Sequence, residues 1–241
     1  MGGRVALVTG GTRGIGAAIS KALQAAEYKV AAIYHGNDDA AHKFNQETHI
    51  PIFKWDVSDY ESCKNGIHEV EKELGPIEIL VNNAGITKDA VLHKMDWATW
   101  HEVIETNLTS CFNMCRNIIE HMRERGFGRI INISSINAQK GQVGQTNYSA
   151  AKAGMLGLTK ALALENAGKG ITVNAIAPGY INTEMVQAVP HEIIEKIINQ
   201  IPKKRLGQPE EVARAVVFLA SDQSEFITGT TLSLNGGQCT V

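Results

Sequence analysis

A short apolar strand followed at once by a glycine-rich turn and a helix constrains this chain more than any other feature. The strand is the run Val5–Thr9, and the turn Gly10-Gly-Thr-Arg-Gly-Ile-Gly16 follows it directly. Apolar residues then recur at steps of three and four from residue 15 to residue 26, the pattern of a helix. Glycines let a ligand approach the backbone, and a helix amino terminus attracts phosphate. The segment therefore predicts a dinucleotide-binding unit.

The alternation of strand and helix continues along the chain. Apolar runs predict seven strands, at residues 5–9, 30–34, 52–57, 77–82, 129–134, 172–177 and 232–234. Helical patterns lie between them, including residues 59–74, 107–125 and 148–167. Strands that alternate with helices form a parallel sheet covered on both faces. We predict an α/β fold, a Rossmann-type doubly wound sheet of seven parallel strands with helices on both faces.

Length and composition predict that residues 1–241 form a single domain. The chain is 44% apolar, which suffices for one large core, and no shift in composition marks a second domain. The longest irregular section, residues 179–206, contains a weak helical pattern at residues 191–199 and follows the carboxyl end of a strand. Ligands bind at that edge of a parallel sheet, so this section is a candidate substrate lid.

Tyr148 and Lys152 lie four residues apart, and Ser135 precedes the tyrosine by thirteen residues at the end of an apolar run. On a helix the four-residue spacing is one turn, which places the phenol and the ammonium roughly 6 Å apart on one face. We expect the cation to lower the pKa of the phenol from its usual value of about 10, as a proton donor to a carbonyl requires. Taken alone, this pair also fits an ordinary exposed helix.

Two features address which dinucleotide is bound. The second strand ends at His35 without the Asp or Glu that would hold a ribose 2′-hydroxyl, whereas Arg13 places a permanent cation in the glycine turn. His35 is either a further polar contact or an ordinary residue at a strand end. We place Asp38 and Asp39 at the start of the next helix, where they would cap backbone amides. NADPH is therefore preferred to NADH.

Taken together, these motifs resemble the short-chain dehydrogenases/reductases over essentially the whole chain. The matching residues are Thr9-Gly-Gly-Thr-Arg-Gly-Ile-Gly16, Asn82-Asn-Ala-Gly85, Asn107, Ser135, Tyr148, Lys152 and Pro178-Gly179. Within the family, residues 136–148 are most similar to the acetoacetyl-CoA reductases, and next to the 3-oxoacyl-[acyl-carrier-protein] reductases, which share the same machinery. The resemblance implies reduction of acetoacetyl-CoA to (R)-3-hydroxybutanoyl-CoA, with a place in polyhydroxybutyrate biosynthesis.

The resemblance also implies a role for each catalytic residue. Ser135 would orient the substrate carbonyl, and Tyr148 would donate a proton as hydride arrives from the nicotinamide. Lys152 would lower the pKa of the phenol and hold the nicotinamide ribose, and Asn107 would support a water relay that returns the proton. The neighbouring Ser134 is expected to bond the backbone at the strand end.

Further positions would hold the cofactor and the acyl thioester. Asp56 is alternatively a strand-end acid that caps the next helix, and Asn82 is expected to join adjacent strands. Val143 leaves room for longer acyl chains. The implied cofactor contacts are Gly10, Thr12, Arg13, Gly14, Ile15, Gly16, Asp56, Val57, Asn83, Ala84, Gly85, Pro178, Gly179, Ile181 and Thr183, and the implied substrate contacts are Asp89, Gln142, Val143, Gly144, Gln145 and Tyr180.

Charged residues outside this set suggest a second kind of substrate carrier. Arg125, Arg129 and Lys169 either form a basic landing surface for an acidic acyl carrier protein or are ordinary solvated charges. A reaction with a carrier-protein thioester is the alternative to the CoA thioester. A dinucleotide-binding scaffold without turnover is a further alternative, although it would have no need of the three catalytic side chains.

Composition argues against several other classes of function. With 23 basic and 25 acidic residues, the chain has no general attraction to nucleic acid. No apolar stretch reaches the roughly 18 residues of a membrane span, and no leader pattern precedes residue 5, so we expect a cytoplasmic protein without membrane contact. The four cysteines and eight histidines lack the spacing of a disulfide framework or a metal site. We predict no catalytic metal and regard Cys111 and Cys115 as core residues.

The helix that carries Tyr148 is apolar on nearly every side. Ala, Gly, Leu and Met fill most positions from residue 150 to residue 164. A helix of this kind must be covered on both sides, by the sheet on one and by another subunit on the other. This argues against a monomer, and the family resemblance implies a homotetramer.

Overall fold

The computed structural model describes residues 3–187 and 189–240, except for the side chain of Met185. The predicted domain therefore includes four residues outside this description, and one of them, Ala188, falls within the predicted lid. The elements follow one another as β1 (Val5–Thr9), α1 (Gly14–Ala25), β2 (Lys29–Tyr34), α2 (Asp38–Thr48), β3 (Ile52–Lys54), α3 (Tyr60–Leu74), β4 (Ile77–Asn82), α4 (Trp97–Ile104), α5 (Ser110–Arg125), β5 (Gly128–Ile133), α6 (Asn137–Lys140), α7 (Thr146–Asn166), β6 (Ile171–Pro178), α8 (Glu184–Gln187), α9 (His191–Gln200), α10 (Pro209–Ala220) and β7 (Thr231–Leu234).

The seven strands form one parallel sheet in the order β3-β2-β1-β4-β5-β6-β7. The chain therefore moves outward from β1 in one direction, returns, and then moves outward from β4 in the other. Loops after β1 and β4 diverge at this reversal and leave a crevice at the carboxyl edge of the sheet. The predicted fold class is confirmed.

Two apolar layers cover the two faces of the sheet. Val5 and Leu7 of β1 belong to a cluster that includes buried residues of α3, α5 and α7, whereas Ala6 and Val8 pack with α1, α2 and α10. Successive side chains of a strand point to opposite faces, so a strand that is buried on both faces is apolar at every position. This explains why β1 is a continuous apolar run.

Two boundaries differ from the sequence prediction by three residues or more. β3 ends at Lys54 rather than residue 57, because the Asp56 side chain accepts hydrogen bonds from the Ser58 amide and hydroxyl and turns the chain. A helix predicted to begin at residue 107 instead continues from α4 through the π-helical turn Glu105–Thr109. The wider turn places Asn107 in a completely buried position.

The start of α2 also corrects a detail of the prediction. Asp38 and Asp39 lie in its first turn, but the capping side chain is Asn37, whose Oδ1 accepts a hydrogen bond from the Ala40 amide. Asp38 instead forms an ion pair with Lys54, with 2.8 Å between Nζ and a carboxylate oxygen. The negative charge of Asp38 is therefore balanced by a neighbour on β3.

α7 has one covered and one open side. Met155, Thr159 and Ala163 are buried against the sheet, whereas Leu164 is 86% exposed. Phe112 of α5 is also half exposed and lies beside a hollow between the two helices. Predicted contact with another subunit would cover this side.

Candidate active site

The crevice at the carboxyl edge of the sheet contains a cavity of about 340 Å³. It lies at the ends of β1, β2, β4, β5 and β6, with the first turn of α1 on one side and α7 on the other. Three of the four predicted catalytic side chains and most of the predicted cofactor contacts lie together here. The predicted residues that line it are Gly10, Thr12, Arg13, Gly14, Ile15, Gly16, Asn83, Ala84, Gly85, Ser135, Tyr148, Lys152, Pro178, Gly179 and Thr183.

The glycines after β1 are required by close contacts as well as by backbone conformation. Gly10 has a φ of +62°, and a Cβ on it would lie 3.1 Å from Asn83 Nδ2. A Cβ on Gly16 would lie 2.0 Å from the carbonyl oxygen of Gly10, which no side chain can tolerate. The turn therefore folds back on the first turn of α1, and its backbone is exposed to the cavity.

The amino terminus of α1 is open to a ligand. Arg13 occupies the N-cap position without a side-chain cap, and the first turn has no acidic residue. In contrast, α3 and α4 are capped by Asp59 and Asp96, which accept hydrogen bonds from backbone amides. Free amides and the positive end of the helix dipole attract an anion. The residues present therefore fit the diphosphate of a dinucleotide.

The end of β2 faces the same cavity as the glycine turn. Arg13 is exposed, and it lines the cavity together with His35 and Asn37. Asp38, the first residue of α2, does not belong to the lining and is paired with Lys54. A ligand in this part of the cavity meets an arginine side chain rather than that carboxylate.

Hydrogen bonds to Thr9 fix the loop after β4. Its hydroxyl accepts from the backbone amides of Asn83 and Ala84, at 2.9 and 3.0 Å. Asn83 Nδ2 donates in turn to the carbonyl oxygens of Thr9 and Gly10. Asn82 points to the other side and donates to Asn132 Oδ1, at 2.8 Å, so it joins β4 to β5 as expected. The bonds of Thr9 and Asn83 fix the loop after β4 against the glycine turn after β1, on the two sides of the crevice.

Tyr148 and Lys152 lie one turn apart on α7, with 5.7 Å between Lys152 Nζ and the centre of the phenol ring. The ammonium is buried and donates to the carbonyl oxygen of Ile133, at 2.8 Å. Ser134 donates from its hydroxyl to the Lys152 carbonyl oxygen, at 2.9 Å, which is its expected backbone-bonding role. Both bonds fasten α7 to the end of β5, next to Ser135.

The predicted downward shift of the Tyr148 pKa is wrong, because the pKa of this phenol is raised. Burial raises the pKa of Tyr148, a hydrogen bond with the Ser135 side chain lowers it, and the Asp89 carboxylate raises it. Loss of solvation outweighs the hydrogen bond with Ser135. The phenol therefore remains protonated through the neutral range, as a proton donor must be.

Lys152 responds to burial in the opposite direction. Loss of solvation lowers its pKa from 10.5 to about 8, and the negative form of Cys111 opposes this shift. Below about pH 8 the amine thus remains an ammonium, although at a cost in free energy. The site holds a neutral phenol and a cation side by side.

Asn107 lies behind the lysine rather than in the cavity. Its Oδ1 accepts from the Ile86 amide at 3.0 Å, and its Nδ2 donates to the carbonyl oxygens of Ile86 and Val103 at 2.9 Å. A Cβ on Gly85 would lie 2.3 Å from Asn107 Oδ1 and 3.4 Å from Lys152 Nζ. The side chain of Asn107 therefore fixes the loop that passes the lysine.

Three predicted cofactor contacts do not line the cavity. Ile181 is 4% exposed and packs in the core with α1 and α10. Val57 is also buried, and its carbonyl oxygen accepts from Asn113 Nδ2 at 3.0 Å. Asp56 does not cap α3 either, because Asp59 occupies that position. Asp56 instead forms the turn after β3 and lies 3.7 Å from His35 Nδ1.

The predicted substrate contacts lie outside the cavity lining. Gln145 Nε2 donates to both carboxylate oxygens of Asp89 at 3.0 Å, and the Ala90 amide donates to the Gly144 carbonyl oxygen at 2.8 Å. Val143 is 87% exposed, and Gln142 accepts from Lys140 at 3.3 Å. Burial raises the pKa of Tyr180, and the negative charge of the Asp89 carboxylate raises it further. Tyr180 therefore lies within electrostatic range of this group.

Several lining residues were not predicted. They are Tyr34, Gly36, Asn37, Ile86, Thr87, Ile133 and Glu184. All but Glu184 lie at the carboxyl end of a strand or within five residues after it, which is the one sequence signal that would have found them. Glu184 begins α8, and its approach to the cavity depends on the path of the crossover from β6.

The predicted basic landing surface is wrong for Arg129. Its side chain is 3% exposed, donates to the carbonyl oxygens of Gly128 and Gly170, and stacks 4.3 Å from the centre of the Phe127 ring. Arg125 and Lys169 are exposed, but they precede β5 and β6 and so lie at the edge opposite the cavity. These three residues form no surface beside the crevice of this chain.

None of the four cysteines lines the cavity. Cys111 and Cys115 are buried core residues, as predicted. Burial raises the pKa of the Cys63 thiol to about 12. Within the described residues, no three His, Cys, Asp or Glu side chains are grouped to hold a metal ion. The helices in the same part of the chain include none long and apolar enough to cross a membrane.

The buried ammonium predicts an unusual dependence of stability on pH. Because the Lys152 pKa is lower in the folded chain than in the unfolded chain, its cost is complete below about pH 8 and declines toward pH 10.5. Relative to Lys152→Met, the wild-type free energy of unfolding should rise by about 3 kcal/mol over that window. Denaturant titrations from pH 7 to 10.5 measure the difference.

The matched control is Lys160→Met, which removes an exposed amine from the same helix. Parallel pH dependences for the wild type and Lys152→Met would contradict a buried charge at position 152.

Comparisons with known proteins agree with this geometry. A family model described as "Enoyl-(Acyl carrier protein) reductase" matches residues 10–238. The chain is 69% identical over 236 residues to an acetoacetyl-CoA reductase of Rhizobium meliloti (strain 1021), and 63% identical over 237 residues to one of Paracoccus denitrificans, with 98% of each chain covered. It is 42% identical over 241 residues, with 98% of each chain covered, to a 3-oxoacyl-[acyl-carrier-protein] reductase of Haemophilus influenzae (strain ATCC 51907 / DSM 11121 / KW20 / Rd). From its matched sequence, its sheet and its cavity, the chain belongs to the short-chain dehydrogenase/reductase family.

Proposed function

We propose that this protein is an NADPH-dependent reductase that converts acetoacetyl-CoA to (R)-3-hydroxybutanoyl-CoA. One observation carries the proposal: Ser135, Tyr148 and Lys152 line the same cavity as the uncapped amino terminus of α1. A proton donor and an anion-binding helix terminus are thus combined at one crevice. The names of the relatives at 63–69% identity support the choice of substrate.

In the proposed reaction, the cofactor and the side chains of the cavity have different roles. Bound NADPH supplies the hydride. Ser135 donates a hydrogen bond to the ketone oxygen and orients it, and Tyr148 donates the proton that neutralises the developing alkoxide. The Lys152 ammonium stabilises the phenolate that remains, and its nearness to the loop at Gly85 allows it to hold the nicotinamide ribose. Its bond to Ile133 keeps it in place.

The preference for NADPH rests on the charges at the end of β2. Arg13 is exposed at the cavity, and the Asp38 carboxylate is paired with Lys54. A guanidinium binds a 2′-phosphate with charge-assisted hydrogen bonds, whereas an unpaired carboxylate at this position would repel it. His35 and Asn37 offer further polar atoms to the same group.

The assembly and the location of the enzyme are part of the proposal. The apolar open side of α7, with Leu164 86% exposed, supports a homotetramer in which subunits cover these helices. A cytoplasmic enzyme that acts in polyhydroxybutyrate biosynthesis, without nucleic-acid or membrane partners, fits the relatives named for acetoacetyl-CoA reduction. The crossover at residues 179–206 remains the candidate lid.

Acyl-CoA and acyl-carrier-protein thioesters of equal chain length separate the two substrate hypotheses. We expect NADPH oxidation with acetoacetyl-CoA and a kcat/KM at least about 10-fold lower with the acetoacetyl carrier protein, because Arg125, Arg129 and Lys169 form no basic landing surface beside the crevice. Initial rates at the nicotinamide absorbance band measure both. A higher value with the carrier protein would favour the alternative, and no oxidation with either would favour a scaffold.

Tyr148→Phe tests the proton donor. It removes only the phenolic oxygen, so we expect kcat to fall about 100-fold or more while NADPH affinity changes little. Tyr28→Phe is the matched control, since Tyr28 is another buried phenol whose pKa is raised by burial but which bonds the Ala220 carbonyl oxygen, away from the cavity. Comparable turnover in wild type and Tyr148→Phe would exclude Tyr148 as the donor.

Arg13→Ala tests the choice of cofactor. Loss of a charge-assisted bond to the 2′-phosphate should lower kcat/KM for NADPH roughly 10-fold and leave the value for NADH nearly unchanged. Lys72→Ala removes a charge from the exposed end of α3 and serves as the control. An unchanged ratio between the two cofactors would mean that Arg13 does not read the phosphate.

A further inference from the structure

We infer that Asn137 is a positioning residue, the inner end of a one-way hydrogen-bond chain that joins the Ser135 turn to the loop bearing Asp89. The inference rests on the proposed function, because the purpose of the chain is to align the groups that hold the ketone. Asn137 lies two residues after Ser135, at the start of α6, and is 9% exposed. No predicted role included it.

Each step of the chain is a hydrogen bond of ordinary length. Asn137 Nδ2 donates to Gln145 Oε1 at 2.9 Å, and Gln145 Nε2 donates to both oxygens of Asp89 at 3.0 Å. The backbone amide of Asn137 also donates to Ser135 Oγ at 3.1 Å. Asn137 thus contacts the turn that holds Ser135 and the chain that leads to Asp89.

Gln145 connects this chain to the helix of Tyr148. It occupies the N-cap position of α7, and its carbonyl oxygen accepts from the Ser149 amide at 2.8 Å. Three segments therefore meet at one glutamine: the Ser135 turn, the start of the Tyr148 helix and the loop at Asp89. Their alignment sets where Ser135 and Tyr148 lie relative to a bound acyl group.

The direction of the chain is set by chemistry. A carboxylate only accepts, so Gln145 must turn its NH₂ group toward Asp89 and its oxygen toward Asn137. Asn137 must then donate. Its own Oδ1 is buried and has no partner among the described residues. Replacing Nδ2 by oxygen, as Asn137→Asp does, therefore disturbs one side-chain hydrogen bond within that part of the chain.

This polarity makes a sharp prediction. In Asn137→Asp, Gln145 lies between the carboxylates of residues 137 and 89. Its NH₂ group can face only one of them. Asp89→Asn relieves the conflict, because Gln145 can reverse and accept from the new amide. We expect Asn137→Asp to lower kcat roughly 10-fold in the wild-type background, but less than about threefold in the Asp89→Asn background. Asp89 is exposed, so water softens the conflict without removing it.

The experiment measures kcat with NADPH and saturating acetoacetyl-CoA for the wild type, the two single variants and the double variant. NADPH affinity is measured for the same four proteins. Glu184→Gln is the control background, since Glu184 is a cavity carboxylate that takes no part in the hydrogen bonds joining Asn137, Gln145 and Asp89. The full loss should persist there. An equal loss in all three backgrounds, or equal relief by Glu184→Gln, would overturn the inference.

A parallel cycle on the midpoint of thermal unfolding requires no turnover. Asp89→Asn should recover part of the decrease in unfolding midpoint that Asn137→Asp causes. If Asn137→Asp alone cannot be isolated as a folded protein, it is scored as the largest decrease. If Asp89→Asn recovers none of the unfolding midpoint, the inferred hydrogen-bond chain is overturned. If the wild type is inactive but Asp89→Asn recovers the unfolding midpoint, only the proposed reaction is rejected. Failure of the proposed reaction and failure of the hydrogen-bond chain are therefore distinguishable.

Discussion

The hydrogen bonds that tie Lys152 to the end of β5 determine the rest of the site. The ammonium donates to the Ile133 carbonyl oxygen, and the Ser134 hydroxyl donates to the Lys152 carbonyl oxygen. Together they fix the rotation and height of α7 against the strand, and so the position of Tyr148 relative to Ser135. Since the lysine is buried, this bond also provides one of the few partners that can satisfy its charge.

Burial acts on both members of the pair and favours the neutral form of each. It raises the pKa of Tyr148 and lowers that of Lys152 to about 8. The result suits the proposed reduction at neutral pH, because the phenol keeps the proton that the proposed step delivers and the amine keeps the charge that would stabilise the resulting phenolate. Desolvation is the dominant effect in both groups, whereas their mutual attraction would act mainly once the phenol ionises.

The fold supplies the cofactor side and the substrate side by different means. A reversal of strand order at β1 and β4 opens the crevice, and an uncapped helix terminus at its edge prepares it for phosphate. The proposed substrate side consists of separate loops that are joined by side-chain hydrogen bonds such as that between Gln145 and Asp89. Substrate choice can therefore change through loop residues while the cofactor side stays the same.

Sequence alone determined the sheet and predicted the candidate catalytic residues that line the cavity, because both are local patterns. Continuous apolar runs gave six of the strands nearly to the residue, and Tyr148 and Lys152 share a helix face by spacing alone. Tertiary structure decided what depends on distant neighbours: that Arg129 is buried against Phe127, that Asn37 rather than Asp38 caps α2, and that burial dominates the phenol pKa. Desolvation and packing arise from residues far apart in the chain, so no local pattern could reveal them.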